Sequence, residues 1–288
     1  MSLPQGLLDR LEPVVGRISR ADAVGGGCIS SAASLDAGGE RLFLKYERGS
    51  PDGFFAAEAA GLERLRSAGT GLLIPRVVGY EDAGSGWSWL AMEWLESGSR
   101  SADASEALGA GLARLHRQIA ERWGANLDGF IGSLPQRNAP TADWSTFWWE
   151  RRLEPQLRIA PGVGHAELWS ALEARLGELL EPADADGASL LHGDLWGGNV
   201  LWSVEGPALI DPCSYDGHRE VDLAMSELFG GFDQGFYEGY THSWPLEAGY
   251  EARKGAYQLY YLLVHVNLFG ASYIPRTLDT LRRVLRKA

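Results

Sequence analysis

The sequence is short of cysteine. Its 288 residues include only Cys28 and Cys213, too few for a disulfide framework, and a reducing cytoplasm is the expected compartment. Basic residues are not in excess: 26 Lys and Arg stand against 38 Asp and Glu, for a net charge of −12. No basic footprint for nucleic acid exists. A long apolar run is also missing. The best stretch, residues 257–269, is interrupted by Gln258, His265 and Asn267, and it is too short and too polar to cross a bilayer. The first residues, MSLPQGLLDRLEPVV, show no charged segment followed by an apolar core, so no signal peptide is expected. Repeats and low-complexity tracts are absent too. What is abundant is apolar surface, 45% of residues with 11 Trp, ample for one large or two modest domains.

The chain is organised around residues 190–212, LLHGDLWGGNVLWSVEGPALIDP. Two apolar runs, 199–202 and 208–210, flank a Glu-Gly-Pro turn and predict a hairpin. Asp194 and Asn199 precede or open the first run and Asp211 closes the second, so all three are expected at one end of the hairpin. Asp194 is an acceptor-only carboxylate suited to orienting a hydroxyl and taking its proton. Asn199 and Asp211 offer hard oxygen ligands, and Mg²⁺ prefers a few of these plus phosphate oxygens. The order H-G-D-x-x-x-x-N, then I-D, matches the kinase template of catalytic Asp, metal Asn and metal Asp. The plainer reading is a polar turn on a surface hairpin, which does not account for the spacing, the His-Gly and the second Asp together.

Upstream, residues 7–15 read as a short amphipathic helix. Gly25, Gly26 and Gly27 then lie between strand-like runs and let a backbone approach a ligand. Alone they suit a flexible turn; before a lysine-bearing strand, 41–46, they suit a lid over nucleotide phosphates. Lys45 shares a strand face with Phe43, opposite Leu42, Leu44 and Tyr46. Asp52 is the expected N-cap of a helix over 53–67. On that helix Phe55, Glu58, Leu62 and Leu65 fall on one face. Glu58 thus points at the core, where a lone carboxylate is costly, and pairing with Lys45 resolves both oddities. The alternative is two unrelated side chains whose heads reach water. Further strands are expected at 75–80 and 87–92.

A helix beginning at Ser105 carries Leu108, Leu112, Leu115 and Ile119 on one stripe, with His116 beside it as a structural residue. Residues 128–138 read as a Gly/Pro-rich loop, and 144–157 as an aromatic helix capped by Asp143 in which Arg151 and Arg152 are salt-bridge partners. Residues 168–180 form a further helix and 181–187 an acidic loop. Another helix opens at Asp222, whose plain role is N-cap. The Phe-Gly that follows the metal Asp in protein kinases is replaced by Pro212-Cys213, and no A-P-E follows, which disfavours a regulated protein kinase.

The central segment resembles the kinase-like phosphotransferases, a group that includes aminoglycoside and choline kinases. The finer wording resembles the fructosamine (ketosamine) kinase family: GDLWGGN at 193–199, REVDLAMSELFGGF at 219–232, DGFIGSLPQRN at 128–138 and the W-x-x-F-W-x-x-R-R-L-x-P-Q-L helix. The likeness runs from about Gly25 to Tyr273. Gly129 stands where the family pattern has Asn. The resemblance implies an α+β, two-lobed protein-kinase-like fold, with a small antiparallel-sheet lobe carrying one helix over 1–95 and a mostly helical lobe over 96–288. It implies ATP and Mg²⁺ as cofactors and a ketosamine, free or on a glycated lysine, as acceptor. Phosphorylation of the sugar 3-hydroxyl would then serve deglycation, in a cytoplasmic monomer or weak dimer without nucleic acid or membrane partners.

By the same resemblance Asp194 is catalytic, Asn199 and Asp211 hold the metal, and Lys45 with Glu58 steadies the phosphates beneath the Gly25–Gly27 lid. The chain at Glu93, Trp94 and Leu95 is the hinge that receives adenine through its backbone, and Asp222 braces the catalytic loop. Trp196 is either a flat wall for the acceptor or core packing under the loop. Tyr215 and His218 are further candidates for the acceptor pocket, and Cys28 in the lid for redox sensitivity. Two other functions stay open: a phosphotransferase for an aminoglycoside, choline or another hydroxylated amine, and a nucleotide-binding pseudokinase.

Overall fold

Alternation along residues 42–46 buries Leu42, Leu44 and Tyr46 and turns Phe43 and Lys45 to the opposite face, as a half-buried strand requires. In the computed structural model, which describes residues 3–25 and 30–287, this strand is the centre of a five-stranded antiparallel sheet. Its strands are β1 (Ile18–Ala23), β2 (Ser31–Ala37), β3 (Glu40–Arg48), β4 (Val77–Glu81) and β5 (Trp87–Glu93), in the order β1-β2-β3-β5-β4. The small sheet carries two helices rather than the one expected. α1 (Gln5–Val15) covers the outer face, where Leu7, Leu11 and Val15 pack with Leu35, Leu42, Leu44 and Trp89. α2 (Phe54–Ser67) covers the inner face with Phe55, Ala59, Leu62 and Leu65.

Asp52 is not the cap of α2. Gly53, at φ +81°, precedes the helix, whereas a side-chain N-cap takes extended backbone. The first amides are satisfied from a distance instead: Asp82 accepts from Phe55 N–H and Ala56 N–H, both at 3.0 Å.

The remaining chain is mostly helical. α3 (Ala102–His116) starts three residues before the expected Ser105, and Ser101 caps it by accepting from Ala104 N–H at 3.1 Å. Its neighbour is the helix Gln234–Ser243. Two glycines permit the approach: a Cβ on Gly109 would stand 2.0 Å from the Phe236 carbonyl oxygen, and one on Gly239 would stand 2.3 Å from that of Glu106. Gly109→Ala is therefore expected to destabilise the protein by about 1–3 kcal/mol, the usual cost of overpacking, read as a lower denaturant midpoint; an unchanged midpoint would refute the tight crossing. The aromatic helix runs through Trp144–Phe147, a π-helical stretch Trp148–Leu153 and Glu154–Ile159, and Asp143 caps it at 2.6 Å from Thr146 N. The expected loop at 128–138 is a tight hairpin, Gly129–Ile131 with Leu134–Gln136, and the acidic loop contains the helical turn Ala183–Asp186.

One apolar cluster joins α2 and the inner sheet face (Leu90, Met92) to Leu108, Leu112, Leu190, Leu195, Leu209 and Phe236. Met92 of this cluster lines a cleft of about 1010 Å³. The hairpin Val200–Ser203/Gly206–Leu209 has the register Val200↔Leu209, so its open end carries Asn199 and Ile210 opposite each other, with an Ile210 N–H to Asn199 O bond of 3.1 Å.

Candidate active site

That register sets the cleft chemistry. Asp211 follows Ile210 directly and takes φ +57°, one of two non-glycine residues among those described with positive φ; Asp tolerates this region better than most side chains. The turn brings its carboxylate to Lys45, at 2.6 Å from Oδ1 to Nζ, while the same Nζ lies 2.7 Å from Glu58 Oε1. The expected Lys45–Glu58 pair is present, and Asp211 completes a triad. Burial works against the Lys45 charge, but Glu58 and Asp211 outweigh it and hold the ammonium well above the usual lysine range. Lys45 is therefore a fixed cation facing the cleft.

Asp194 lies across from it. Asn199 Nδ2 donates to the Asp194 carboxylate at 3.0 Å and to its backbone carbonyl at 2.9 Å. With both amide protons used there, Asn199 Oδ1 is left as an acceptor at the cleft. Burial pushes the Asp194 carboxyl up to about 7; the Asn199 hydrogen bond opposes this, and Asp211 and Asp222 add to it. A base with a pKa near the working pH is well placed for proton transfer. With Asp194 as the base proposed below, kcat/KM is expected to rise with pH and to reach half its plateau near pH 7, because the ionised carboxylate would be the active form. A profile flat from pH 5 to 8 would remove Asp194 from the rate equation.

The loop that presents Asp194 is held from below. Asp222 accepts from His192 N–H and Gly193 N–H, both at 2.8 Å, and meets His116 Nε2 at 3.1 Å. His116 also meets the Tyr240 hydroxyl at 2.8 Å, so it is the structural histidine expected. Asp222 is a brace rather than an N-cap: it lies three residues after Arg219, the residue preceding the helix Glu220–Phe229. Burial disfavours its charge, but His116 and the loop amides outweigh it and hold its carboxyl below the usual range. A further support was not visible in the sequence: Tyr261 donates to Gly193 O at 2.7 Å from 68 residues away.

Trp196 is 38% exposed and lines the cleft, its indole lying over Gly198. It is therefore not core packing. Tyr215 and His218 do not reach the cleft. The chain at 214–217 is extended, so Ser214 and Asp216 face the cleft while Tyr215 turns away. Tyr215 is buried against Phe147 and lies under the Arg152 guanidinium, 3.9 Å from its ring centre. His218 is buried between the Tyr257 hydroxyl at 2.7 Å and Asp186 at 3.0 Å.

Arg152 corrects another expectation. Among the described residues it has no carboxylate partner; it donates to the carbonyls of Arg137 (2.6 Å) and Arg151 (3.0 Å) and to Asn138 Oδ1 (2.7 Å). Asn138 in turn donates to Leu127 O at 3.0 Å, so Arg152 holds the hairpin wall of the cleft. Cys213 lines the cleft, and burial pushes its thiol well up, which keeps it protonated.

At the sheet exit, Glu93 N–H donates to Arg76 O at 2.9 Å and the Glu93 carboxylate accepts from Arg76 N–H at 3.1 Å. Its amide is thus occupied. Leu95 N–H has no partner among the described residues. Trp94 packs under the Arg41 guanidinium at 4.0 Å and donates to Glu96. Gly25 lines the cleft; Gly26, Gly27 and Cys28 lie outside the described residues.

The donor set fits a hard divalent cation bound together with phosphate. Asn199 Oδ1 and the Asp211 carboxylate stand at the same hairpin end. Among the described residues no group of three or more His, Cys, Asp or Glu could hold a metal; a cation held by Asn199 and Asp211 would take its remaining ligands from phosphate and water. Among the described residues, no helix is long and apolar enough to cross a membrane.

A carboxylate poised near pH 7, facing a lysine–glutamate pair across a cleft between a small antiparallel sheet and a helical body, defines a kinase-like phosphotransferase. The fold is shared with an aminoglycoside phosphotransferase solved with AMP-PNP and hygromycin B, at a TM-score of 0.62 and 17% identity over 99% of each chain. A crystal structure from Thermobifida fusca agrees more closely, with a TM-score of 0.85, 37% identity and coverage of 97% of this chain and 98% of that one. The family model for fructosamine kinase matches residues 8–287. The ketosamine-3-kinase of Mus musculus is 34% identical over 290 residues, covering 90% of this chain and 93% of that one. The chain belongs to the fructosamine kinase family.

Proposed function

We propose that the protein transfers the terminal phosphoryl group of ATP to the sugar 3-hydroxyl of a ketosamine, the first step of a deglycation in which the 3-phosphate eliminates and frees the amine. The observation that carries this reading is Asp194, a carboxylate at the edge between its two protonation states, fixed by Asn199 and facing the Lys45 cation. Asp194 orients the acceptor hydroxyl and takes its proton as the oxygen attacks. Lys45, aligned by Glu58, steadies the phosphates, and the Leu95 N–H and the Glu93 carbonyl receive adenine at the hinge. We place the lobe boundary after Leu95, with Gly25 on the nucleotide side of the cleft. Asn199 and Asp211 would hold Mg²⁺, which when bound neutralises phosphate charge. Trp196 offers a flat wall to the sugar or its amine substituent. Most of the catalysis is then positioning and charge compensation. The two-thiol composition and absent basic footprint support a cytoplasmic protein acting on free ketosamines or glycated lysine, as a monomer or weak dimer.

The test is Mg²⁺-dependent ADP release with ribulosyl-lysine, fructosyl-lysine, kanamycin and choline side by side. Turnover confined to the two ketosamines is expected. Turnover on kanamycin or choline alone would keep the phosphotransferase and discard the acceptor. Nucleotide binding without turnover on any acceptor would favour the pseudokinase.

A further inference from the structure

Three residues on α2 stand at i, i+3 and i+6 and so share one stripe of the helix. Each meets the segment that follows the metal aspartate. Glu58 reaches Asp211 through Lys45. Gly61 packs on Pro212, where even a Cβ would come within 3.1 Å of the proline ring. Arg64 Nη2 is forked on the Asp216 carboxylate at 2.7 and 2.8 Å. The helix thus lies along residues 211–216 for two turns. Asp216 is itself fixed, because its N–H donates to Gly124 O at 2.9 Å and its carbonyl accepts from Gly124 N–H at 2.7 Å. At the other end of the helix, Phe54 meets Phe130 of the cleft hairpin edge-on at 5.2 Å.

The first contact belongs to the phosphate-binding machinery. The last has no role there, yet it is a two-pronged contact between the small-sheet body and the helical body, with the Asp216 side chain only 14% exposed. Without it, the C-terminal half of α2 keeps the apolar packing of Leu62 and Leu65 and the glycine contact at Pro212, but loses the ion pair that ties it to Asp216, and Glu58 loses its polar tether on that side. We propose that Arg64 and Asp216 are a positioning pair that holds α2 along residues 211–216, so that Lys45 and Glu58 stand in their phosphate-binding arrangement before any acceptor arrives. The proposal rests on the kinase reading for its catalytic consequence but not for its structural one.

The test uses Arg64→Ala, Asp216→Ala and the exchanged pair Arg64→Asp/Asp216→Arg in the full chain. The single variants are expected to lower kcat/KM for ATP about tenfold with the ketosamine KM within about twofold, and the exchanged pair to recover a good part of the loss, as a pairwise interaction requires. Amide exchange over residues 57–65 is expected to quicken about tenfold in the single variants while Tyr250–Phe269 keeps its protection. Unchanged ATP kinetics with unchanged α2 exchange would overturn the proposal. A rise in acceptor KM alone would make the pair an acceptor contact instead, and equal quickening in both helices would make it ordinary stabilisation. If the wild type turned over no ketosamine, the kinase reading would fall, and the exchange measurement would still decide whether the pair holds the helix.

Discussion

Asp194→Asn is expected to lower kcat by about 10²–10⁴-fold while ATP affinity stays within about threefold, because a general base acts on the transferred proton and not on the nucleotide. Steady-state turnover and nucleotide titration on the same preparation check both halves. Wild-type turnover in the variant would end the assignment. The substitution carries a second expectation of opposite sign. The carboxyl stands near 7 in the folded protein against about 4 in an unfolded chain. Below pH 4 it is protonated in both states and the site costs nothing. As pH rises through 7 the folded protein must hold a buried charge, and that stability is withdrawn. The carboxyl is partly open to the cleft, so water trims the cost. Asp194→Asn is therefore expected to be more stable than wild type by roughly 1–3 kcal/mol at pH 8 and to lose most of that advantage by pH 4. Denaturant midpoints at the two pH values measure it.

Asp222→Ala is expected to have the largest effect on stability, about 3–5 kcal/mol, because it strands buried donors with no access to water. Its carboxylate is completely buried and serves His192 N–H, Gly193 N–H and His116 together. The loss is expected to reach activity too, since Asp194 is the next residue in that loop. Asp222→Asn keeps one acceptor and is expected to fall between. A variant with wild-type unfolding midpoint and wild-type kcat would show that the loop holds its shape without the brace. Because the Asp222 carboxyl is held below its unfolded range, its contribution is present above about pH 4 and is lost as pH falls through the lower folded value.

Much of the site could be read from the sequence because it is local. Asp194, Asn199 and Asp211 lie within eighteen residues, and a hairpin is a short-range object whose register follows from its apolar runs. Lys45 and Glu58 are thirteen residues apart, and both are legible locally, Glu58 as a charge on an apolar helix face and Lys45 as a charge on a half-buried strand. The errors fall where the partner is distant or where an element turns over. Asp82 caps α2 from beyond the helix it serves, and Tyr261 supports Gly193 from 68 residues on. No local pattern announces either. Tyr215 and His218 are expected at the acceptor pocket, yet a strand shows its two faces alternately and Tyr215 falls on the inner one. Arg152 looked like half of a salt bridge; its charge is met by carbonyls, an amide oxygen and an aromatic face, which composition alone does not suggest. The hairpin at 129–136 was hidden by its glycines and proline, which read as loop.

The glycine crossing of α3 with Gln234–Ser243 also bears on biosynthesis. α3 leaves the ribosome roughly 120 residues before its partner helix, an interval on the order of 6–24 s at ordinary elongation rates. During that time Leu108 and Leu112 can meet the α2 and sheet residues of their cluster but lack the cover that Phe236 and Tyr240 give in the finished protein. The nascent chain thus carries an apolar helix face that a chaperone can shield, and truncations ending before residue 234 will be insoluble even when every residue of the catalytic loop has been made.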